Sequence, residues 1–414
     1  MSTPQTFAIA GASLAGAKAA QTLREEGFDG RVVLIGAEDE RPYERPPLSK
    51  DYLRGESQRD KVYVHEAGFY EDNDIELRTG AKVVSLDPGR RELALDSGER
   101  LEFDRLLLAT GAEPRRLDIP GAELDGVHYL RAVGDSDAIR ARLDAGGHVV
   151  VVGAGWIGAE VAASARQRGL DVTIVEPLDV PLKRALGEEL GAIYRDVHRD
   201  HGSELLLGQG VAAFEGGGAV ERVRTHDGRT IDCSFVVVGV GVQPRTDLAA
   251  AAGLAVDNGV LVDPRLQTSA EGIYAAGDVA NHEHPLFGRL RVEHWANALN
   301  QGPAAARSML GSEEPYERLP YFFSDQYDVG MEYSGYAASW DKVVFRGDTA
   351  ARKFIAFWLR GGRVLAGMNV NVWDVTEPIQ ALIRSGLPVD PARLADPTIP
   401  LDQVTGALTT RSTR

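Results

Sequence analysis

A single cysteine, Cys233, is all the thiol this chain has. One thiol cannot close an internal disulfide, nor can it supply the redox pair that a disulfide reductase needs beside its cofactor. It sits in IDCSFVVVG, which reads as strand, so a buried and inert side chain is expected. Positive charge is also short. The net charge of −16 and a pI near 5.1 exclude a nucleic-acid partner, whose backbone demands a basic face. No apolar run approaches a membrane span, and Met1 leads straight into a strand pattern without a basic flank and apolar leader, so the reading is a cytoplasmic protein. His282 and His284 flank Glu283, but no third or fourth ligand lies nearby; a polar loop rather than a metal site is expected. Disorder is confined to the polar tail Thr409 to Arg414, since a hydrophobic content of 43% and a charged content of 26% are ordinary for a globular chain. With 414 residues there is room for two or three domains.

What the chain does have is a repeated glycine turn. Phe7 to Ala10 is a short apolar strand that enters Gly11, Ala12, Ser13, Leu14, Ala15, Gly16, continues as an Ala-rich helix, and is followed by the strand Val32 to Ile35 and then Glu38. Strand, tight turn, helix, strand and acid is the dinucleotide-binding order of a doubly wound sheet. Backbone amides and the helix start face a pyrophosphate, and the acid accepts from a ribose hydroxyl. Ser13 stands where the second glycine is usual; it is small, and its hydroxyl could donate to phosphate. The same order returns at Val149 to Val152, Gly153, Ala154, Gly155, Trp156, Ile157, Gly158, a helix to Arg168, the strand Val172 to Val175 and Glu176. A lone glycine turn is as often only a turn. Two complete units on one chain imply two bound dinucleotides.

Further features divide the chain. RPYERPPLSK, Arg41 to Lys50, reads as an extended, stiff loop because of its three prolines, and it could hold Arg45 and Lys50 over a ligand; the alternative is a pair of solvated cations. Short alternating runs from Ile75 to Glu102 and from Val220 to Cys233 read as small antiparallel meanders. Each leads to a buried strand and a glycine turn: Leu106 to Gly111, with Thr110 before that glycine, and Phe235 to Gly241. TSAEGIYAAGDVA places Gly277 and Asp278 at a strand's carboxyl end, where open α/β sheets bind ligands; capping of the next segment is the alternative. Glu293, His294 and Trp295 lead into an Ala-rich helix, with Pro303 expected near its start. From Pro320 the composition turns aromatic and β-rich, with a hairpin expected at Gly361 and Gly362 and a helix over Val375 to Ser385.

The stretches RPYERPPLSK, LLLATGAEPRRL, GAGWIGAEVAA, GIYAAGDVA, EHWANALNQG and PYFFSDQYD together resemble the FAD-dependent, NADH-linked ferredoxin reductases of oxygenase systems, over nearly the whole chain. The resemblance implies a glutathione-reductase-like α/β fold with two doubly wound dinucleotide-binding domains and a C-terminal α+β interface domain. Residues 1–113 and 245–319 would form the FAD domain, 114–244 the NAD domain and 320–414 the interface domain. It places Gly11, Ser13, Leu14, Ala15 and Gly16 on the FAD pyrophosphate and Glu38 on its ribose, although the family often has that acid one place earlier, at Ala37. Arg45, Lys50, Val83, Thr110, Gly111, Arg131, Gly277, Asp278, Glu293, His294 and Trp295 match further FAD positions. Gly153, Gly155, Trp156, Ile157, Gly158, Glu160, Glu176 and Gly241 match the NAD side, and an acid at Glu176 favours NADH over NADPH. Lys50 and Glu160 are the implied catalytic pair at the flavin edge; an interdomain ion pair without chemical role is the alternative.

The implied reaction is hydride transfer from NADH to FAD, then single-electron transfers to a [2Fe-2S] ferredoxin feeding a cytochrome P450 or a Rieske-type oxygenase. The cations of Asp341 to Arg363, namely Lys342, Arg346, Arg352, Lys353, Arg360 and Arg363, form a local positive excess that could steer an acidic ferredoxin; a solvated hairpin face explains it equally. Tyr321 and Phe323 stand where relatives often carry tryptophan. Two other readings use the same sites: an NADH oxidase or quinone reductase, and a redox-sensitive binding flavoprotein like apoptosis-inducing factor.

Overall fold

Runs of Val, Ile, Leu and Ala that end on glycine build two parallel sheets, which lie in separate units. The computed structural model describes residues 4–405; the polar tail from Thr409 lies outside the described residues. One unit comprises Met1–Leu48, Gly55–Arg115 and Gly241–Arg318, and the other Ser49–Arg54, Arg116–Val240 and Leu319–Arg414.

In the first unit five parallel strands run in the order Ile273–Ala275, Arg105–Leu108, Thr6–Ala10, Arg31–Ile35, Ile75–Arg78. Their centres are sealed on both faces, which is why they read as unbroken apolar runs: Ala8, Ile9, Val33, Leu34, Leu106 and Leu107 are all fully buried. The strand Ile75–Arg78 belongs to this sheet and not to the meander. It alternates because an edge strand has one face only partly covered. The meander proper is Val83–Asp87, Glu92–Leu95 and Arg100–Glu102.

Three other expectations are corrected in this unit and at its border. Pro46–Ser49 is a short 3₁₀ turn, closed by Leu48 N donating to Arg45 O at 3.0 Å, and not an extended loop. Proline already has the helical φ, and the first turn of a helix needs no N–H from it. Pro303 lies in the middle of the helix Trp295–Met309 rather than near its start. Packing overrides propensity there: a Cβ on neighbouring Gly302 would sit 2.2 Å from the Ala15 carbonyl oxygen, so this helix crosses Leu14–Glu25 backbone to backbone. His282 and His284 are not in a polar loop. They lie on the strand Ala280–His284, each 1% exposed, with Glu283 pointing to solvent on the other face. Among the described residues no His, Cys, Asp or Glu cluster could hold a metal.

The second unit repeats the plan in the order Glu204–Leu207, Asp171–Glu176, His148–Val152, Phe235–Val238, Val127–Tyr129, all parallel. Its meander begins earlier than expected, at Val211–Glu215, and continues through Arg222–Thr225 and Thr230–Asp232. Cys233 sits in the link after the last of these, half-buried rather than buried, and burial pushes its thiol up to about 12, which leaves it inert. The same unit holds a five-stranded antiparallel sheet ordered Tyr321–Gln326, Val329–Gly335, Arg363–Val370, Lys353–Arg360, Lys342–Asp348. Gly361 and Gly362, at φ 56 and 74, make the expected hairpin turn. Trp358, Met331 and Met368 pack this sheet onto Leu190, Tyr194 and Val197 of the helix Glu188–Asp200. Among the described residues no helix is long and apolar enough to cross a membrane.

Candidate functional site

Both glycine turns close the central strand of their own sheet, and in both the outer glycines are demanded by the chain itself. Gly11 has φ 126, and a Cβ there would lie 2.0 Å from the Ala109 oxygen; a Cβ on Gly16 would lie 2.0 Å from the Gly11 oxygen. In the second turn Gly153, at φ 96, faces the Gly239 oxygen at 2.5 Å, and Gly158 faces the Gly153 oxygen at 2.0 Å. The middle position differs. Gly155 is exposed, has an ordinary φ of −77, and its nearest neighbour to a built Cβ is 4.0 Å away. Nothing in the unit requires glycine there, and the space left open suits a pyrophosphate laid against the turn. Ser13 occupies the matching extended position, and its hydroxyl makes no helix-cap hydrogen bond. First-turn amides of the helices Leu14–Glu25 and Trp156–Gln167 have no intrahelical acceptor. The residues present therefore fit two dinucleotides.

The two acids are held differently. Glu176 is 8% exposed and bridges its own turn: Ala154 N donates to Oε2 at 2.6 Å and Leu178 N to Oε1 at 3.0 Å. Each oxygen keeps a lone pair for a sugar hydroxyl. Glu38 is more open and takes a 2.5 Å hydrogen bond from Tyr43 Oη, with Arg45 at 3.6 Å and stacked 5.3 Å over the Tyr43 ring. Arg45 is therefore tied to Glu38 and Tyr43 rather than free in solvent. Ala37 is exposed on the same loop and contributes no polar side chain.

Lys50 and Glu160 meet. Their Nζ to Oε2 distance is 2.8 Å, with the side chains 12% and 5% exposed, and both lie in the second unit, since Ser49–Arg54 belongs there. Two serines complete the shell: Ser49 Oγ donates to Oε2 at 2.5 Å and Ser324 Oγ to Oε1 at 2.7 Å. Ser164 Oγ holds the Ser49 carbonyl at 2.7 Å, and the Lys50 ammonium lies 5.5 Å from the Phe323 ring centroid. Trp156 packs edge-on to Phe322 at 5.0 Å and to Tyr194 at 6.1 Å, while Ile157 is 41% exposed beside the open Gly155. Sequence reasoning missed both serines and Ser164. A signal existed for Ser324: in YFFSDQ, Ser324 and Gln326 are polar residues two apart at the buried positions of a strand.

The other expected residues divide between the units. Gly277, at φ 78, lies 3.3 Å by its virtual Cβ from Ala15 and donates its N–H to Gln301 Oε1 at 2.8 Å, which sets Asp278 beside the first glycine turn. His294 caps the helix that Trp295 opens, and Glu293 pairs with Arg291 at 2.5 Å. Val83 is half-buried on its meander strand. Thr110 Oγ1 donates to Arg245 O at 2.9 Å, and Gly111 and Gly241, both at positive φ, take backbone hydrogen bonds from Arg245 and Arg115. These three serve the paired linkers Ala112–Pro114 and Val242–Pro244. Arg131 is in the second unit, where its N–H meets Asp135. The cations from Lys342 to Arg363 do not share one face. Arg346 turns inward to carbonyls of Leu394, Asp396, Pro397 and Ile399, and Arg352 pairs with Asp200 and Asp328.

Known proteins share this arrangement. The profile described as pyridine nucleotide-disulphide oxidoreductase matches residues 5–302, and that described as reductase C-terminal matches 321–405. The ferredoxin–NAD(+) reductase component of the anthranilate 1,2-dioxygenase system of Burkholderia cepacia is 40% identical over 403 residues, 95% of this chain and 98% of that one. Putidaredoxin reductase of Pseudomonas putida is 34% identical, with 98% of each chain covered. Among solved structures, the ferredoxin reductase for the CYP199A2 system from Rhodopseudomonas palustris matches with a TM-score of 0.93 at 38% identity, covering 97% of this chain and all of that one. The covalent putidaredoxin reductase–putidaredoxin complex matches at 0.92 and 34%, covering 97% and 98%. A profile that spans most of the chain, with relatives matched almost end to end, places this protein in the pyridine nucleotide-disulphide oxidoreductase family, as an oxidoreductase that uses FAD and NAD(H).

Proposed function

We propose that this chain is an NADH-dependent ferredoxin reductase that works in the cytoplasm, reducing a [2Fe-2S] ferredoxin that feeds a P450 or Rieske-type oxygenase. The observation that carries the reading is the pair of glycine turns on one chain, one answered by Glu176 at the end of the adjacent strand and the other by Glu38 in the loop after it, with Gly155 left open by its own unit. The acceptor is supported by the names of the relatives, which serve dioxygenase and P450 systems. In this reading residues 1–113 and 245–319 hold FAD, 114–244 hold NAD, and 320–414 meet the ferredoxin.

When bound, FAD supplies hydride acceptance from NADH and release of the two electrons singly. The chain supplies position and charge. Gly11 to Gly16 and Gly153 to Gly158 offer amides to the two pyrophosphates. Glu176 accepts from the adenosine ribose and repels a 2′-phosphate, which selects NADH. Glu160 fixes the Lys50 ammonium in place beside the flavin edge. Shielding of that pair from water keeps it together, because parting it strands a buried charge.

The test is anaerobic stopped-flow mixing of the FAD-loaded protein with NADH, then with [2Fe-2S] ferredoxins from the same source. Flavin bleaching followed by ferredoxin reduction at catalytic rates is expected. A protein that takes up no flavin, or one that after reduction serves only oxygen or quinone, overturns the proposal.

A further inference from the structure

A row of hydrogen bonds leaves the Glu160 carboxylate and runs through the C-terminal sheet to the helix Glu188–Asp200. Ser324 Oγ donates to Glu160 Oε1 at 2.7 Å, and Gln326 Nε2 donates to Ser324 Oγ at 3.3 Å. Gln326 Oε1 lies 3.2 Å from His198 Nε2, His198 Nδ1 lies 3.1 Å from Tyr327 Oη, and Tyr327 Oη lies 3.2 Å from Ser203 Oγ.

The carboxylate dictates the direction of every link. An ionised acid only accepts, so the serine donates and its oxygen is left to accept from the amide N–H. The amide oxygen must then accept, which puts the His198 proton on Nε2. The bare Nδ1 accepts from Tyr327, whose oxygen accepts in turn from Ser203. Burial favours this state: Glu160, Ser324, Gln326 and His198 are 4%, 1%, 1% and 0% exposed, and burial pulls His198 down to about 4, so its ring is neutral.

The far end of the row lies in a hairpin turn. Tyr327 has φ 57, a left-handed conformation that a bulky residue rarely adopts. That φ belongs to the two-residue turn joining the strands Tyr321–Gln326 and Val329–Gly335, and the ring stacks on His201, 3.9 Å between centroids at 8°.

We propose that Ser324, Gln326 and His198 are positioning residues for Glu160: they hold Oε1 toward the C-terminal sheet, so that Oε2 alone receives Ser49 and Lys50 and the ammonium is set for the reaction with NADH. This rests on the reading that Lys50 and Glu160 act beside the flavin. The C-terminal domain is thereby part of the first half-reaction as well as a docking face.

The experiment compares FAD-loaded wild type with Ser324→Ala, Ser324→Thr, Gln326→Leu, Ser324→Ala/Gln326→Leu and Glu160→Gln. FAD content, NADH dissociation constant, limiting rate of flavin reduction and the visible difference spectrum on NAD+ titration are read for each. Ser324→Ala and Gln326→Leu are expected to keep FAD and to hold NADH within about twofold of wild type. Their limiting rate falls about tenfold, as loss of one hydrogen bond to a charged group allows. The NAD+ difference spectrum weakens in the same variants, Ser324→Thr restores both, and the double variant is no slower than the slower single one. Should Gln326→Leu lose FAD, the Ala and Thr variants of Ser324 decide alone. Wild-type reduction by Glu160→Gln overturns the role of the pair and this proposal with it. A slow Glu160→Gln beside a wild-type Ser324→Ala overturns the positioning row alone.

Discussion

Glu176 ends its strand while Glu38 lies in the loop beyond the matching strand, and one is locked by backbone amides where the other is braced by side chains. The lock makes Glu176 a rigid acceptor whose charge cannot swing away from a 2′-phosphate. Glu176→Gln keeps the size, removes the charge and turns an amide N–H toward amide donors. The ratio of kcat/KM for NADH over NADPH is expected to fall tenfold or more, about 1.4 kcal/mol or above, measured by steady-state kinetics with either nucleotide. Lys50→Ala strands the Glu160 carboxylate. Loss of a buried partner costs about 3–5 kcal/mol, and the two serines that remain on Glu160 put the expected loss at the lower end. Urea unfolding of the FAD-loaded protein reads it.

At the scale of the element, the glycines of one turn separate fold from function. Gly158→Ala drives a Cβ to 2.0 Å from the Gly153 oxygen, so the helix must shift; a loss of about 1–3 kcal/mol or more is expected. Gly155→Ala meets nothing nearer than 4.0 Å, so its thermal midpoint should match wild type while the NADH dissociation constant rises at least tenfold. Differential scanning fluorimetry and fluorescence titration check the two variants together. Both turns, the flanking strands and the C-terminal hairpin were legible because glycine punctuation and unbroken apolar runs leave few alternatives. What escaped were features set by packing between distant segments. Pro303 sits mid-helix because Gly302 is pressed on Ala15, Ile75–Arg78 pairs with Arg31–Ile35 despite its alternation, and Ser49 and Ser324 reach Glu160 from over a hundred residues away. Local pattern holds no record of such meetings. The Lys50–Glu160 pair came from family resemblance rather than from periodicity.

Over the whole molecule, buried neutral histidines contribute to the response to acid. His198 and His282 are almost fully buried, and burial lowers both to about 4 against an ordinary 6.5. Above that ordinary value both are neutral in either state. Between it and about 4 only the unfolded chain takes up their protons, so stability falls as pH drops through this window and levels off below it. The slope approaches about 1.4 kcal/mol per pH unit for each histidine. His198→Gln should give a shallower decline in thermal midpoint between about pH 6.5 and 4.5 than wild type, with little difference above neutrality. Charge, by contrast, says little about docking, since Arg346 is committed to backbone carbonyls and Arg352 to the exposed acids Asp200 and Asp328.

The crossing of Ala15 by Gly302 has one more outcome, for biogenesis. The first glycine turn is braced by a helix that follows the whole intervening segment Arg116–Val240, and the strand Ile273–Ala275 that completes its sheet follows it too. Domains fold as units once their parts are present. Dinucleotide capture at that turn therefore waits until synthesis has passed Met309, and a nascent chain halted before that helix would take up no flavin.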